Sequence, residues 1–337
     1  MGEGNKNLSK AKTVKYDEFY TQLTDIEKEL RYYKSYFKNK VILCNCDDPR
    51  VSSFFKYFSL NFEFLGLKRL ICTCYKNQNI DLFSQHKAEK AVYTIYEGDK
   101  NQNKQVDKEE IEVHELKGDG DFRSQECIDL LKQADIVCTN PPFSLFREYI
   151  AQLIKYDKKF IIIGNQNVIT NKEIFPLIKD NKIWLGCGDC VRWFIAPETT
   201  DKKFKLDKNG NKLVEGARSR WFTNLDHDRR HEDIILFKKY NPEDYPTYDN
   251  YNAIEVSKVK NIPMDYEGVM GVPLTFMDKY NPEQFEIIWQ ASGNTRACCP
   301  PEILKSLGYK AHKEDRGGCG IVYGKRMYSR ILIRKKK

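Results

Sequence analysis

The sequence lacks any long apolar run. None of its hydrophobic stretches approaches the roughly 20 residues needed to cross a bilayer, and its start lacks the apolar core of a signal peptide. These absences argue against membrane and secreted classes and predict a cytoplasmic protein. The 337 residues suffice for one large domain and a smaller one.

A metal-binding pattern is also missing. The 11 cysteines include Cys187 and Cys190 and the neighbours Cys298 and Cys299, but no second pair has the usual ligand spacing. Others lie in apolar, strand-like runs, which predicts free buried thiols in a reducing compartment. They are Cys44, Cys46, Cys72, Cys74 and Cys138. We therefore expect no metal.

Charge of one sign is not dominant. The chain has 56 Lys and Arg against 48 Asp and Glu, a formal net charge of +8. That surplus permits binding to a polyanion without requiring it. With 41% hydrophobic and 13% aromatic residues, the composition is that of an ordinary globular protein.

The most informative stretch is residues 134–143, Ala-Asp-Ile-Val-Cys-Thr-Asn-Pro-Pro-Phe. Its β-branched apolar run predicts a buried strand, which must end at Asn140 because two prolines follow. Residues 144–150 then have helical spacing of apolar side chains, with Ser144 placed to cap the helix. The pattern predicts a strand, a rigid turn and a helix.

Such a turn suits the recognition of a planar amine. The Asn140 side-chain carbonyl and the Pro141 backbone carbonyl can each accept one N–H of an exocyclic amine, which directs the nitrogen lone pair outward. The Phe143 ring can stack on the heterocycle that carries the amine. The alternative is a proline-rich loop after a strand, with Phe143 in the core.

Several other apolar runs are continuous rather than alternating, notably residues 41–46, 67–75 and 159–164, with helical patterns between them. Continuous runs predict strands covered on both faces. We therefore predict an α/β fold with a doubly wound, mostly parallel sheet. Helices are predicted at residues 25–37 and 51–65, and Asn209-Gly210 predicts a hairpin turn.

The tetrapeptide Asn140 to Phe143 resembles the catalytic motif of amino methyltransferases that use S-adenosylmethionine. Five further segments, in the same order, resemble the EcoRI-type adenine-N6 DNA methyltransferase family, from about Tyr16 to the C-terminus. They are residues 17–21, 44–52, 118–122, 220–227 and 265–273. The resemblance implies a Rossmann-like catalytic domain.

The resemblance also implies roles for individual residues. The N-terminal motif, residues 17–21, would fold over the methionine end of the cofactor. Asp121 would accept a hydrogen bond from the amino group of the cofactor's adenine, and Phe122 would stack on that adenine. The first strand is followed by a turn without glycines, unlike most methyltransferases, and Tyr75 replaces the acid expected after the second strand. The implied catalytic residues are Asn140, Pro141, Pro142 and Phe143, and the implied cofactor-binding residues are Phe19, Tyr20, Thr21, Asn45, Asp47, Pro49, Asp121 and Phe122.

The predicted domain division follows from changes in composition and hydrophobic patterning along the chain. Residues 1–15 are predicted to be a mobile basic tail, 16–226 the S-adenosylmethionine-binding catalytic domain, and 227–337 a DNA target-recognition region, irregular and tyrosine-rich. Candidates for contacts with phosphates or guanine edges are Arg229, Arg230, Arg296, Arg316, Lys325 and Arg326.

The implied activity is methyl transfer from S-adenosylmethionine to N6 of an adenine flipped out of double-stranded DNA, by a monomer that needs neither a metal nor an assigned general base. Such an enzyme is the modification partner of a restriction endonuclease, with which it would share a DNA site but no physical contact. Two alternatives remain open: an amino methyltransferase acting on RNA or protein glutamine, and a non-catalytic DNA-binding protein with a relic fold.

Overall fold

The computed structural model describes residues 20–46, 52–74, 91–103, 105–196 and 202–336. The chain forms two compact units. The first comprises Met1–Gln166 and Gly188–Leu225, and the second comprises Asn167–Cys187 and Asp226–Lys337. Residues 167–187, which the sequence division includes in the 16–226 segment, thus group with the C-terminal region. Among the described residues, every helix is too short or too polar to span a bilayer.

The elements are numbered in chain order. The helices are α1 (Leu23–Leu30), α2 (Lys34–Phe37), α3 (Ser53–Leu60), α4 (Phe62–Leu65), α5 (Gln125–Gln133), α6 (Phe146–Lys155), α7 (Phe175–Lys179), α8 (Thr295–Cys298) and α9 (Pro301–Ser306). The strands are β1 (Tyr20–Thr21), β2 (Val41–Cys44), β3 (Arg69–Thr73), β4 (Val92–Tyr96), β5 (Ile111–Glu115), β6 (Ile136–Thr139), β7 (Lys159–Asn165), β8 (Trp184–Leu185), β9 (Val191–Ile195), β10 (Phe204–Leu206), β11 (Lys212–Thr223), β12 (Ala253–Glu255), β13 (Val269–Pro273), β14 (Phe285–Ala291), β15 (Ile321–Val322), β16 (Lys325–Arg326) and β17 (Arg330–Lys335).

The first unit is built on a sheet with the strand order β1-β9-β11-β7-β6-β2-β3-β4-β5. The four central strands β7, β6, β2 and β3 are parallel, with Ile42 opposite Ile136 and Val137 opposite Phe160. After β2 the chain adds β3 on one side and later β6 and β7 on the other side. The strand order therefore reverses between β2 and β6, where open α/β sheets bind ligands beyond the carboxyl ends of their strands.

The prediction of a mostly parallel sheet is wrong outside those four strands. Strand β4 pairs antiparallel with both β3 and β5, and β11 pairs antiparallel with both β7 and β9. Strand β5 is partly exposed along its whole length, so the argument from strands covered on both faces does not extend to it. The described part of its connection to β4 contains a 3-10 turn, Lys108–Glu110, where a parallel crossover would place a helix.

The predicted helical segments of this unit are confirmed. Helix α1, a 3-10 turn and α2 cover the 25–37 segment. The face formed by Ile26, Leu30, Tyr33 and Phe37 is fully buried. The second segment starts as α3, where the Ser52 hydroxyl accepts a hydrogen bond of 2.9 Å from the Phe55 amide. Both segments contribute to one hydrophobic core beside the central strands.

The second unit has its own sheet, with the order β12-β13-β17-β14. Strand β17 is buried from Arg330 to Ile333 between two antiparallel neighbours. Arg330 donates to the Glu255 carboxylate at 2.7 Å inside the unit. Helix α7 belongs to the same core, since the Phe175 ring meets the Trp289 ring edge-on with 5.3 Å between centroids.

Candidate active site

The predicted strand, turn and helix at residues 134–150 are confirmed. Strand β6 ends at Thr139, Asn140 follows it, and a 3-10 turn, Phe143–Leu145, leads into α6. The prediction that Ser144 caps the helix is wrong: α6 starts two residues later, and Leu145 occupies the N-cap position without a side-chain hydrogen bond. The Leu145 amide instead donates to the Pro142 carbonyl at 3.0 Å, which closes the turn through the backbone.

Hydrogen bonds tie this turn to the end of the first parallel strand. The Thr139 hydroxyl donates to the Asn45 backbone carbonyl, and the Tyr149 hydroxyl of α6 donates to the Asn45 side-chain oxygen. Asn45 is only 3% exposed. Burial raises the pKa of Tyr149, so its hydroxyl keeps its proton and remains a donor. The carboxyl ends of β2 and β6 and the helix α6 are therefore held together.

The Gly-Asp-Gly-Asp-Phe segment, residues 118–122, lies against the end of β3. Gly120 has φ +81°, and a Cβ there would lie 2.3 Å from the Cys74 carbonyl oxygen. Both the left-handed backbone and the close approach require glycine. This segment is thus fixed at the same sheet edge as Asn45 and Asn140.

Asp121 carries a paired carboxylate in this segment. Arg123 donates to it from Nη2 at 2.6 Å and from Nε at 2.9 Å, and donates to Glu148 of α6 at 2.8 Å. The hydrogen bonds from the Arg123 side chain hold the pKa of Asp121 below its usual range. The carboxylate is therefore charged at neutral pH and can accept a further hydrogen bond.

Phe122 packs on helix α6. Its ring is 4% exposed and meets the Tyr149 ring edge-on with 5.0 Å between centroids, and its backbone carbonyl accepts from Gln152 at 2.9 Å. Tyr149 thus contacts both Asn45 and Phe122, two of the residues to which the sequence assigns cofactor contacts. A tyrosine on a buried helix face needs a partner for its hydroxyl, which is the one signal that could have identified Tyr149.

The N-terminal motif reaches the turn through Phe194. In the pairing of β1 with β9, Tyr20 lies opposite Ile195 and Thr21 opposite Phe194. The half-buried Phe143 ring meets the Phe194 ring edge-on, with 6.3 Å between centroids. Phe194 was not expected from the sequence, because its contacts with Thr21 and Phe143 join segments far apart in the chain.

Two buried side-chain oxygens near these elements suit a polar ligand. Among the described residues, nothing hydrogen-bonds the buried Thr21 hydroxyl or the buried Gln166 side-chain oxygen. Gln166 follows β7, the parallel neighbour of β6. A buried polar atom left unpaired is costly, so these atoms are ready to bind a polar ligand.

Not every predicted site residue is described. Phe19, Asp47, Pro49 and Tyr75 lie outside the described residues, as does the predicted basic tail, residues 1–15. The others lie in the first unit and are connected through Tyr149, Phe194 and Cys74. They are Tyr20, Thr21, Asn45, Asp121, Phe122, Asn140, Pro141, Pro142 and Phe143.

The cysteines and the grouping of possible metal ligands can be compared directly with the sequence predictions. All 11 cysteines are free thiols, and those predicted to be buried are so except Cys46, which is half-buried. In the parts of the chain that the structure describes, no three His, Cys, Asp or Glu side chains are grouped to hold a metal ion.

Comparison with known proteins identifies relatives across the chain. A family model described as "Adenine-specific methyltransferase EcoRI" matches residues 7–336. The chain is 56% identical to the type II methyltransferase M.EcoRI of Escherichia coli over 291 residues, covering 84% of this chain and 89% of the relative. It is 37% identical to M.MgeORF184P of Mycoplasma genitalium, with 98% and 99% covered, and 34% identical to M.MpnI of Mycoplasma pneumoniae, with 98% of each covered. No solved structure matches.

Proposed function

The chain belongs to the EcoRI family of adenine-specific methyltransferases, and from this we propose that it methylates N6 of adenine in double-stranded DNA as the modification enzyme of a type II restriction-modification system. The observation that carries the proposal is the fixed turn at Asn140, connected through Tyr149 and Phe194 to the segments expected to hold the methyl donor. The proposed fold is accordingly the Rossmann-like methyltransferase type, with its site at the strand-order reversal between β2 and β6.

The turn orients the adenine amine. Asn140 accepts one N–H of the amine through its side-chain oxygen, and Pro141 accepts the other through its backbone carbonyl. Phe143, held by Phe194, stacks on the purine ring. With both N–H groups held, the nitrogen lone pair faces the donor, and catalysis consists mainly of orientation and proximity.

Residues of the first unit are proposed to hold S-adenosylmethionine. When bound, this cofactor supplies a methyl group activated by a sulfonium. The buried Thr21 hydroxyl fits the polar methionine end, with Tyr20 beside it. Asp121 and Phe122 are assigned to the adenine end, where the carboxylate accepts from the amino group. Asn45 holds Tyr149 with its side-chain oxygen and retains its amide donors for the cofactor.

The reaction needs no base in the attacking step. With its two N–H groups held by Asn140 and Pro141, N6 would accept the methyl group that the bound cofactor supplies, and the bonding electrons would remain with the cofactor's sulfur. The resulting N6 cation is acidic and releases a proton afterwards. The side chains of Asn140 and Phe143 act throughout by positioning.

The target adenine must leave the duplex, which costs a few kcal/mol in lost stacking and pairing. Contacts with the DNA backbone must offset that cost, and the second unit is the proposed target-recognition region. We further propose that the protein acts as a monomer on DNA in the cytoplasm. A relic, non-catalytic role is disfavoured by the intact sequence from Asn140 to Phe143.

The decisive variant is Asn140→Ala. We expect it to lower methyl transfer to duplex DNA by about a thousandfold, because the loss of an oriented acceptor removes transition-state alignment. Cofactor binding, measured by calorimetry, should stay within about twofold, since Asn140 contacts the amine rather than the donor. Labelled methyl transfer to duplex DNA, RNA and protein substrates would be compared in parallel.

A matched control is Asn61→Ala in the same unit. The Asn61 amide donates to the Tyr57 carbonyl at 2.8 Å in a helical segment, so its loss tests general damage without touching the turn. Near-normal transfer by Asn140→Ala, or transfer by the normal protein to RNA or protein but not to DNA, would contradict the proposal.

A further inference from the structure

The second unit contains a hairpin with an unusual tip. Strands β15 and β16 pair with Ile321 opposite Arg326 and Val322 opposite Lys325, leaving Tyr323 and Gly324 as a two-residue turn. Their φ values are +50° and +72°. Turns with two left-handed residues favour Asn-Gly. A residue that has a Cβ is strained at a positive φ, and asparagine tolerates this conformation better than other such residues. A tyrosine at the first position is therefore locally unfavourable.

The base of this hairpin is firmly fixed. Asn250 is 2% exposed, and its amide accepts from the Ile321 N–H at 2.9 Å and donates to the Cys319 carbonyl at 2.9 Å. The Asp249 carboxylate accepts from the Gly324 N–H at 2.7 Å, and its own backbone N–H donates to the Ile321 carbonyl at 2.8 Å. These contacts hold the turn in the strained conformation and determine where the Tyr323 ring is presented.

The described residues of the second unit leave that ring exposed. Tyr323 is 80% exposed and Tyr328, just beyond the hairpin, is 88% exposed. Lys325 and Arg326 are exposed between them. The turn is strained and firmly anchored, yet the aromatic side chain gains no burial from it. We infer that the ring serves a contact outside the chain.

The charge arrangement points to nucleic acid. Three of the other basic residues considered for DNA contacts bond inside the unit: Arg229 to the Cys187 carbonyl, Arg230 to Asn181, and Arg296 to Asp315. The hairpin instead combines two exposed cations with exposed rings, the pairing that binds phosphates and stacks on bases. A two-stranded ribbon is also narrow enough to enter the major groove.

We propose that Tyr323 stacks on a base of the DNA substrate while Lys325 and Arg326 contact the flanking phosphates. This assignment rests on the proposed function, since DNA is the partner. Because Asp249 and Asn250 fix the backbone of the hairpin, little backbone freedom is lost when the ring meets the base. Tyr323 is thus a positioning residue for the DNA and takes no part in methyl transfer.

The test is DNA binding by Tyr323→Asn and Tyr323→Phe. The probe is a fluorescein-labelled duplex of about 30 base pairs that the normal protein methylates, with affinity followed by anisotropy. Tyr323→Asn should bind roughly 5- to 150-fold more weakly, the range for loss of one aromatic–base stack. Its melting temperature should not fall, because asparagine suits the turn better. Tyr323→Phe keeps the ring and should bind within about twofold.

Further measurements separate the parts of the proposal. Replacing Lys325 or Arg326 with Gln should lower the slope of log affinity against log salt by about one per residue. Tyr32→Asn, which removes a 44% exposed tyrosine from the first unit, is the control and should leave affinity unchanged.

Two results would overturn the inference alone, with the normal protein still methylating the duplex: unchanged affinity in Tyr323→Asn, or an equal loss in Tyr323→Phe. Absence of methylation by the normal protein would instead count against the proposed function.

Discussion

Two hairpins in the described part of the chain, β10–β11 and β15–β16, are stabilised in different ways. In the first unit, β10 and β11 are joined by a turn that its own residues hold: the Asp207 carboxylate accepts from the Asn209 and Asn211 amides at 2.8 Å each, and Gly210 takes φ +83°. In the second unit, the Tyr323-Gly324 turn is held by Asp249 and Asn250, more than 70 positions earlier in the chain. A turn supported from outside can carry a residue that the turn itself disfavours.

The largest expected effect comes from the support of the second hairpin. Asn250→Ala should lower the free energy of unfolding by about 2–4 kcal/mol, because a buried N–H and a buried C=O both lose their partner. Urea unfolding measures the loss, and hydrogen exchange at the Ile321 amide should accelerate. The matched change Asp207→Ala should cost much less, since water can replace its exposed contacts. Equal losses in the two variants would end the distinction drawn between the hairpins.

An intermediate effect is expected at the two glycines. Gly210→Ala and Gly324→Ala each place a Cβ in open space, with nothing within 4 Å, at φ +83° and +72°. Only backbone strain is added, so each should cost about 1 kcal/mol. Thermal unfolding of both variants measures the cost. If Gly324→Ala costs far less than Gly210→Ala, the contacts from Asp249 and Asn250 offset the strain at position 324. The difference between the two hairpins would then be larger than expected.

The smallest effect is the response of the first hairpin to acid. Hydrogen bonds from Asn211 hold the pKa of Asp207 below its usual range. A lowered pKa stabilises the fold above the unfolded value of about 4, and this contribution is lost as the pH falls through the lowered value. The protection of the Asn211 amide against hydrogen exchange, corrected for the slower intrinsic exchange in acid, should therefore fall as the pH drops below about 4. Asp207→Asn, which keeps an acceptor but does not titrate, should remove this fall; a fall that persists would mean that another group titrates.

The same contrast explains what the sequence could predict. The dipeptide Asn209-Gly210 predicts a turn by itself. Tyr323-Gly324 does not, because the conformation of this turn depends on Asn250. Likewise, the end of β6 was predictable because two prolines leave the chain little choice. The antiparallel flanks of the large sheet were not, since pairing partners of half-exposed strands are chosen by tertiary contacts.

The site divides in the same way. The turn from Asn140 to Phe143 follows from local chemistry and appears in the structure as expected. The contacts that fix it, Tyr149 with Asn45 and Phe143 with Phe194, join residues about 50 to 100 positions apart, and no periodicity reveals them. Local sequence therefore predicted the conformation of the turn, and only the structure gave the contacts that support it.

Under the proposed function, the consecutive prolines after Asn140 have a consequence for the choice of base. Pro141 and Pro142 are two successive peptide units without an N–H, so the turn offers an incoming base oxygen atoms there and no backbone donor. Guanine and thymine, which carry a carbonyl where adenine carries its amine, would meet oxygen with oxygen. Cytosine, which has an amine, passes this filter, so its exclusion must depend on ring size and on the DNA word read elsewhere in the protein.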